Sequence, residues 1–375
     1  MTRFLFTLTA LTTLALEAPA RAERRIGDRV RIGGDTFVIW DYSRTGIMPK
    51  GASISPDGNR LYVTNFGRRE GKNISVFDTE PLRHRRDFSY PGNAIESAVS
   101  PDGRVLFATN KVGGTLDAID TERGVPIKRY PVGGFPKFIL LDTPRNQLYL
   151  SLWTANRVAR LGLASGRVEQ LDHGDRHPRG LALSRDGKLL FVANNGGRHV
   201  TVIDTATFKV KARIRVPGRP RHAALSRDGR HVYVAAMGSH ALGVINVKKL
   251  RLVRFIYVGN RPKSIEESHD GRFVYTANYG GHSMSVVDTR TWRVKELPLD
   301  LHKSSGLVVH PSDRYIYVTG WCSNDVWAVR RFGAGETLER PTTAHPRRKV
   351  CRECPSKLME CPRKDGRRPD RRASR

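Results

Sequence analysis

The amino-acid sequence repeats one short motif at a nearly constant interval, and this repeat constrains the fold more than any other feature. Five copies of Ser-x-Asp-Gly each precede a short strand-like stretch rich in apolar residues. Their aspartates are Asp57, Asp102, Asp186, Asp228 and Asp270, which lie 45, 84, 42 and 42 residues apart. The interval of 84 covers a degenerate copy at 142–151, and another degenerate copy lies at 311–319. A period near 42 with four short strands per copy predicts an all-β, seven-bladed β-propeller of four-stranded antiparallel blades.

Each copy reads as four strands, a to d, joined by short turns. Asp-Gly is the expected chemistry for the tight a–b turn, so we interpret these aspartates as turn formers and not as metal ligands. The asparagines that end strand b are interpreted as local caps. They are Asn65, Asn110, Asn194 and Asn278. The seventh copy lacks a strand d, and we expect the segment 36–42 to close the ring as the outer strand of blade seven.

The stretch Tyr62-Val63-Thr64-Asn65 recurs as close variants in most copies. Through it the chain resembles the YVTN-repeat β-propellers, and in particular the YncE-like exported proteins, over roughly residues 36–330. The resemblance implies a seven-bladed propeller whose relatives act mostly as binding or accessory proteins. Propeller subunits of quinoprotein amine dehydrogenases and the seven-bladed lactonases are among those relatives, so the fold does not select one activity.

The first 22 residues have the pattern of a secretory signal peptide. Arg3 supplies positive charge, residues 4–16 are largely apolar, and Ala20-Arg21-Ala22 fits the small-x-small cleavage rule. An uncleaved membrane anchor is the alternative, but the apolar segment is too short to span a bilayer comfortably and Glu17 ends it. We therefore expect cleavage after Ala22, no membrane-spanning segment in the mature chain, and a periplasmic or secreted location.

The charge of the chain is strongly positive, with 65 Lys and Arg against 36 Asp and Glu and a formal net charge of +29. Residues 340–375 contribute 13 basic and 4 acidic residues, and residues 23–339 contribute 50 and 31. The body is thus basic in its own right, which favours a polyanionic partner or surface. The predicted organisation is a signal peptide at 1–22, a propeller at 23–334 and a basic, largely disordered tail at 335–375.

The tail contains Cys351-x-x-Cys354 and Cys361, with His345 upstream. Three cysteines and a histidine make half of a zinc motif, whereas an oxidising compartment favours a disulfide. The pairings left open are Cys351–Cys361 and a bond that reaches Cys322 in the b–c loop of blade seven. The second pairing would place the basic tail over the mouth of the channel.

Strand order places the starts of the seven strands a at the mouth of the central channel. The aligned residues there are Lys50, Ile95, Lys137, Arg179, Arg221, Lys263 and Ser305. Two positions earlier the copies have Met48, Asn93, Phe135, His177, Arg219, Arg261 and Lys303. The b–c loops begin on the same face with Phe66, Lys111, Trp153, Asn195, Met237, Tyr279 and Trp321. Five cations in the first column, together with three cations and a histidine in the second, predict an interrupted positive collar around one opening.

Cations that alternate with exposed aromatic side chains suit an anionic ligand with flat or apolar parts. The candidate ligand-binding residues are Lys50, Lys137, Arg179, Arg219, Arg221, Arg261, Lys263, Phe66, Trp153, Tyr279 and Trp321. The alternative interpretation is a solvated basic loop face whose aromatic side chains pack against the blade tops.

Support for catalysis is thin, because no Gly-x-Ser-x-Gly, His-Glu-x-x-His, P-loop or Gly-x-Gly-x-x-Gly motif occurs. A lactonase-like hydrolase would need an acid/base pair at the channel mouth. Its candidates are Glu96, Glu266 and His222. Glu267 occupies a column that is apolar in the other copies, so it needs a partner. We expect an arginine of a neighbouring blade, and a slip of register is the alternative.

Three histidines on the collar face are candidate metal ligands, namely His177, His240 and His282. Nearby arginines oppose a metal ion there, because fixed cations repel it. No cofactor is predicted.

The sequence therefore predicts an exported, monomeric propeller that binds an anionic small molecule or a polyanion, with nucleic acid and envelope polymer as examples of the latter. A lactonase-like hydrolase on the same face is one alternative. An accessory subunit that docks to a periplasmic redox or metal-handling system is another.

Overall fold

A computed structural model of the chain describes residues 26–67 and 72–341. The predicted signal peptide and most of the tail, with Cys351, Cys354, Cys361 and His345, lie outside the described residues. The described chain forms seven antiparallel sheets arranged in a ring, which confirms the predicted seven-bladed β-propeller. Its only helical segments there are two short 3-10 turns, Thr143–Arg145 and Met237–Ser239. No helix in these two ranges has the length and apolarity needed to cross a membrane.

The strands follow in chain order. The N-terminal hairpin comprises β1 (Arg29–Ile32) and β2 (Asp35–Arg44). Blade one comprises β3 (Pro49–Ile54), β4 (Arg60–Asn65), β5 (Ile74–Asp78) and β6 (Arg83–Phe88). Blade two comprises β7 (Ala94–Val99), β8 (Val105–Asn110), β9 (Thr115–Asp120) and β10 (Pro126–Pro131). Blade three comprises β11 (Pro136–Asp142), β12 (Gln147–Leu152), β13 (Arg157–Gly162) and β14 (Val168–Asp172). Blade four comprises β15 (Pro178–Leu183), β16 (Leu189–Asn194), β17 (His199–Asp204) and β18 (Lys209–Arg215).

Blade five comprises β19 (Pro220–Leu225), β20 (His231–Ala236), β21 (Ala241–Asn246) and β22 (Arg251–Tyr257). Blade six comprises β23 (Pro262–Glu267), β24 (Phe273–Asn278), β25 (Ser283–Asp288) and β26 (Val294–Pro298). Blade seven comprises β27 (Ser304–Val309), β28 (Tyr315–Gly320) and β29 (Asp325–Phe332), completed by β2. The innermost strand of each blade contacts those of both neighbouring blades, and β27 contacts β3. The seven innermost strands therefore enclose the central channel.

The Ser-x-Asp-Gly motifs form the a–b turns. In blade one, Ser55 Oγ donates a hydrogen bond to Asp57 Oδ1, and Asp57 Oδ1 also accepts the backbone N–H of Asn59. Gly58 has a φ of 79°, a left-handed backbone conformation that is strained for residues with a side chain. The same Ser–Asp bond recurs in the other four copies. These aspartates are thus turn formers.

The ring is closed by the N-terminal strand. Strand β2 pairs antiparallel with β29, in a register that runs from Thr36 opposite Phe332 to Arg44 opposite Asp325. This confirms the expected outer strand of blade seven. Strand β1 then adds a fifth strand that the sequence analysis missed. The two-residue turn between them is Gly33-Gly34, with φ values of 60° and 89°. Such a Gly-Gly pair is a known signal for a tight hairpin.

An ion network fastens this closure on the face of the a–b turns. Arg331 Nε lies 2.7 Å from Asp35 Oδ2, and Arg331 Nη2 lies 2.6 Å from Asp270 Oδ2. Arg331 Nη1 lies 3.9 Å from Asp313, and Arg272 lies 3.2 Å from Asp35. Asp35 is fully buried, so its charge depends on these partners. The network joins the first and last strands of the ring to the turns of blades six and seven.

The apolar core lies between neighbouring blades. Its largest cluster joins blade six to blade seven, and it includes Phe37 from β2, Tyr275 from β24 and Trp327 from β29. Phe37 meets Phe273 edge-on at 5.3 Å between ring centroids. Since truncating a buried phenylalanine costs about 3–5 kcal/mol, this contact contributes strongly to closure of the ring.

Candidate functional site

One backbone hydrogen bond recurs at the channel mouth in all seven blades. The N–H of the first b–c loop residue donates to the carbonyl oxygen of the residue that precedes the innermost strand. The pairs are Phe66–Met48, Lys111–Asn93, Trp153–Phe135, Asn195–His177, Met237–Arg219, Tyr279–Arg261 and Trp321–Lys303. The positions that were aligned in the seven sequence copies are therefore structurally equivalent in the seven blades. We call the seven acceptor residues of these pairs the outer rim.

The second residue of each innermost strand forms a deeper tier, which we call the inner ring. Its members are Lys50, Ile95, Lys137, Arg179, Arg221, Lys263 and Ser305. In every blade the pairing of the innermost strand shifts register across this residue. A β-bulge of this kind re-aims a side chain without ending the strand. The bulge thus sets the direction of all seven inner-ring side chains.

The two tiers differ in burial. Lys50, Arg179 and Lys263 have exposed fractions of only 4%, 6% and 5%. On the outer rim, Arg219 and Arg261 are exposed. The predicted collar therefore divides into a deeper and a more exposed tier, and the alternative of a solvated basic face is wrong for Lys50, Arg179 and Lys263. The innermost strands converge on the axis of the propeller, so five of the seven second residues are buried by their neighbours, while Lys137 and Arg221 are half-buried. Spacing along the chain does not reveal this depth.

The inner-ring cations act on one another. Burial lowers the pKa of Lys50 well below its ordinary value, and Lys137, Arg179, Lys263 and Arg221 lower it further. Burial and the nearby arginines likewise lower the pKa of Lys263. The pKa of Lys137 falls to about 7, chiefly through burial and then through Arg179. Burial also lowers the pKa of both arginines. Five cationic side chains from five blades thus share one poorly solvated space.

Two guanidinium groups of the inner ring keep unused donors. Among the described residues, neither Arg179 Nη1 nor Arg221 Nε has a hydrogen-bond partner, although both atoms are buried. A buried donor without a partner costs about 1–3 kcal/mol. These two unpartnered donors therefore lower the stability of the folded chain, and a bound hydrogen-bond acceptor would remove that penalty.

The carboxylate that acts on these cations is Glu96, the residue after Ile95 in blade two. Burial raises its pKa, while Arg179, Lys50, Lys263 and Arg221 oppose that rise. Its side chain occupies space left by Gly51 of blade one, where a Cβ would collide with Glu96 Oε1. One carboxylate cannot balance five cations, so the space keeps an excess of positive charge.

The aromatic side chains that begin the b–c loops lie against the inner ring. Lys50 Nζ lies 4.9 Å from the Phe66 ring and 5.6 Å from the Trp321 ring, and those two rings stack at 5.5 Å. Lys263 Nζ lies 4.6 Å from Tyr279 and 4.7 Å from Trp321. All four of the chosen aromatic residues are half-buried, so the expectation of fully exposed rings is wrong. The rings line the passage between the outer rim and the inner ring.

Two further residues complete this lining in blades two and three. The Phe135 ring lies 4.0 Å from Lys137 Nζ and 5.0 Å from Lys111 Nζ, and Lys111 also lies 5.1 Å from Phe66. Lys137 in turn lies 5.1 Å from Trp153. Phe135 and Lys111 stand in the aligned columns, but they were not among the candidate residues. Their position in those columns was the signal that could have selected them.

The hydrolase candidates do not form an acid/base pair. Glu266 Oε2 accepts the backbone N–H of Val309 from blade seven at 3.1 Å, and burial raises its pKa to about 7. His222 Nδ1 accepts the backbone N–H of Ile265 at 3.0 Å, and burial lowers its pKa to about 3. Both side chains therefore fasten one innermost strand to the next, whereas Glu96 faces the cations.

Glu267 also joins neighbouring blades. It accepts a hydrogen bond from the Tyr233 hydroxyl at 3.0 Å and another from the backbone N–H of Arg227. Its register matches that of the other copies, with Glu267 opposite Val274. The expected arginine of a neighbouring blade is Arg227, whose charge lowers the pKa of the Glu267 carboxyl against the rise caused by burial, although the direct hydrogen bonds come from its backbone amide and from Tyr233.

The three candidate metal ligands are used otherwise. Nδ1 of His240 accepts the N–H of Arg261, and Nδ1 of His282 accepts the N–H of Lys303. In the neutral ring the remaining nitrogen then carries the proton and offers no lone pair. His177 stacks on Trp153 at 4.7 Å. Within the described ranges, no group of three or more metal-ligating side chains occurs.

Cys322 follows Trp321 at the channel mouth. It is buried and disulfide-bonded. Its three possible partners in the sequence lie outside the described residues, so the pairing stays a prediction.

Comparison with known proteins supports the fold. A model of the cytochrome D1 heme domain, a family of eight-bladed propellers, matches residues 184–300. Hydrazine synthase from Kuenenia stuttgartiensis is similar in structure, with a TM-score of 0.67 and 19% identity over 76% of this chain and 95% of that one. Virginiamycin B lyase from Staphylococcus aureus has a TM-score of 0.65 and 14% identity over 78% and 99% of the two chains. A comparison with curated proteins gives no match. At these identities the similarity shows the propeller fold and no activity.

The partial match to a heme domain calls for a test of fit. A heme iron takes an axial lone-pair donor, commonly a histidine. His222, His240 and His282 all use Nδ1 to accept a backbone N–H. None of the three therefore offers a lone pair in its neutral form. These residues do not fit a histidine-ligated heme, and we derive no step through one.

Proposed function

We propose that this chain is a propeller-type binding module whose ligand is a small anion held in the inner ring. The observation that carries the proposal is the set of five inner-ring cations, three of them buried and two half-buried, which Glu96 alone opposes among the described residues. Buried charges in folded proteins are normally paired. Here two guanidinium groups also retain unpartnered donors. An anion would supply both the missing charge and the missing acceptors.

The burial of the inner ring favours a small ligand over a polymer. A nucleic acid or an envelope polymer is usually held along an exposed groove that follows its backbone. Lys50, Arg179 and Lys263 are each at most 6% exposed. The half-buried aromatic side chains above them suit the flat or apolar part of an anion that enters from the outer rim. An exported location, predicted from the leader, belongs to this proposal.

In the test, the full chain is titrated with each probe at low and at physiological salt. Binding is measured by calorimetry and by thermal shift. The probes are sulfate, nitrate, benzene-1,3-disulfonate and a short single-stranded oligonucleotide. We expect sulfate and the disulfonate to bind and stabilise the protein, with the disulfonate stronger because its ring meets the aromatic lining. The oligonucleotide is expected to bind weakly and with a strong dependence on salt.

The double variant Arg179→Ala/Arg221→Ala is compared with Lys211→Ala/Arg251→Ala, which removes the same charge from exposed positions on β18 and β22. Two charge-assisted hydrogen bonds at about 1.5 kcal/mol each predict a loss of affinity of about 100-fold in the ring variant. The control is expected to bind within about twofold of the parent. Arg179→Lys/Arg221→Lys keeps the charge, so it covers the case in which the alanine variant does not fold. Equal losses in ring variant and control, or no binding of any probe, would contradict the proposal.

A further inference from the structure

We propose that the inner ring takes up its anion together with protons, and that the ligand is a compact anion with at least two negative charges. This inference rests on the proposed function and adds the class of ligand and its coupling to pH. Its geometric basis is the position of three lysines and two arginines as the second residues of five innermost strands around the channel. Lys50 Nζ and Lys263 Nζ lie 5.6 Å and 4.7 Å from the same Trp321 ring, and the Glu96 carboxylate lies against Gly51 of the neighbouring strand.

The charge balance sets the lower limit on the ligand. If every group is ionised, five cations and Glu96 leave four positive charges within the ring. A monoanion would still leave three of them uncompensated. An anion with two or more charges removes a larger share of the repulsion, and its several oxygen atoms can accept from both arginines at once. Dicarboxylates, phosphate esters and sulfate-like groups share this chemistry.

The lysines provide the first source of proton uptake. Besides burial, the positive charge of Lys137 lowers the pKa of Lys50, so two fully protonated ammonium groups would repel each other here. With no anion present, burial and mutual repulsion favour a neutral amine at one or more of the three lysines. A bound anion favours the ammonium form, so its arrival raises the pKa of these lysines.

Glu96 provides the second source. Its carboxyl pKa is already raised by burial, and a second negative charge in the same space raises it further. The lysines and Glu96 therefore respond to an anion in the same direction, by binding protons. Protonated Glu96 also gains an O–H group that can donate to the ligand.

The other groups that face this space do not compete near neutral pH. A guanidinium group keeps its charge near neutral pH, so Arg179 and Arg221 do not exchange protons there. His222, on the innermost strand of blade five, stays neutral with a pKa of about 3. Burial raises the pKa of Tyr279, so its phenol keeps its proton. Ser305 and Ile95 carry no charge, and Lys111 lies at the exposed rim. The exchangeable protons therefore belong to the lysines and Glu96.

The experiment uses sulfate, which stays dianionic across the neutral range, and the full chain in imidazole, bis-tris and Tris buffers, none of which is an anion. Calorimetry in buffers with different heats of ionisation counts the protons taken up. We expect uptake near pH 7 and an association constant that rises about three- to tenfold for each pH unit of acidification. Nitrate is expected to bind more weakly and to take up fewer protons.

Two substitutions separate the sources. Lys137→Arg keeps a positive charge that does not titrate, so it is expected to lower the proton count while sulfate still binds at low pH. Glu96→Gln imitates the protonated acid, so it is expected to bind sulfate more tightly at high pH and to flatten the dependence on pH. Lys211→Arg on the exposed strand β18 is the control and should change neither quantity. Because each variant is compared by its proton count, a moderate loss of stability does not obscure the result.

Sulfate that binds the parent with no proton uptake, and with the same affinity from pH 6 to pH 8.5, would overturn this inference and leave the proposed function standing. Nitrate that binds as tightly as sulfate would overturn the inferred ligand class. Failure of every anion to bind at any pH would overturn the proposed function as well.

Discussion

Arg331 and Arg179 are arginines buried to almost the same degree, with exposed fractions of 8% and 6%, yet they have opposite surroundings. Arg331 lies on the face of the a–b turns within 4 Å of three carboxylates. Although burial lowers the pKa of Arg331, its hydrogen bonds to Asp270 and Asp35 raise it above the ordinary value. For Arg179, burial lowers the pKa and only Glu96 opposes it.

The difference separates two uses of a buried charge. On the turn face, the chain supplies every partner that Arg331 needs, so the charge fastens the ring. In the channel, Arg179 has one opposing carboxylate, and under the proposed function a bound anion supplies the missing partner. Residue type and burial are nearly identical in the two places, and only the neighbours distinguish structure from binding.

The largest expected effect is at Arg331. Arg331→Met leaves the carboxylate of Asp35 buried with fewer partners, and we expect the free energy of unfolding to fall by about 3–5 kcal/mol. Chemical denaturation of the full chain measures this change. Arg251→Met, at an exposed position on β22, is the matched control and should stay within about 0.5 kcal/mol. A small change in the free energy of unfolding for Arg331→Met would mean that Arg331 does not stabilise the ring, and the turn face would then not differ from the channel in this respect.

The opposite sign is expected at Lys50. Lys50→Met removes a cation whose neighbours include four other cations and one carboxylate, and it keeps the apolar stem. Without added anion we expect the variant to be as stable as the parent or more stable by up to about 2 kcal/mol. With sulfate present the parent should regain the advantage, since only it keeps the full site. Denaturation with and without sulfate tests both statements, and destabilisation in the absence of anion would show that Lys50 is structural.

The smallest effect is expected at Glu267, at the opposite end of the innermost strand that holds Lys263. Burial raises the pKa of Glu267 from 4.5 to about 7. A raised folded-state pKa means that the folded protein binds the additional proton, so this contribution to stability is complete below about pH 4.5 and is lost as pH rises through about 7.

Glu267→Gln should therefore weaken the dependence of the free energy of unfolding on pH between about pH 4.5 and pH 7. The change in slope corresponds to the binding of at most one proton. Glu169→Gln, at an exposed carboxyl on β14, is the control. Denaturation midpoints at several pH values provide the measurement. An unchanged slope would mean that Glu267 stays ionised beside Tyr233.

The blades and their register could be predicted because the signals are local. A turn such as Ser55–Gly58 is specified by four consecutive residues, and it repeats five times at a regular interval. Ring closure by β2 could be predicted because the segment 36–42 is a strand that belongs to none of the copies, and the seventh copy lacks its strand d. Strand β1 was missed although Gly33-Gly34 marks its hairpin.

The nature of the site could be predicted only in part. The columns of cations and rings are visible in the sequence, but their depth depends on how seven strands converge on one axis. The roles of His240 and His282 depend on the same geometry. Equivalent bonds occur in blades three and seven, where Asn156 Oδ1 accepts the N–H of His177 and Asn324 Oδ1 accepts the N–H of Met48. Asparagine and histidine occur at the same aligned position in different blades. Both side chains can accept a hydrogen bond, so this position indicates a hydrogen-bond acceptor more readily than a metal ligand.

The pairing of β2 with β29 also orders events in time. Thr36 and its partner Phe332 lie almost 300 residues apart in the chain, so we expect this pair to form late in folding. A contact of such long range is slow to form, and the last blade cannot be finished before it does. We therefore expect the channel to acquire its final shape in the step that pairs β2 with β29 and brings the two ends of the propeller together.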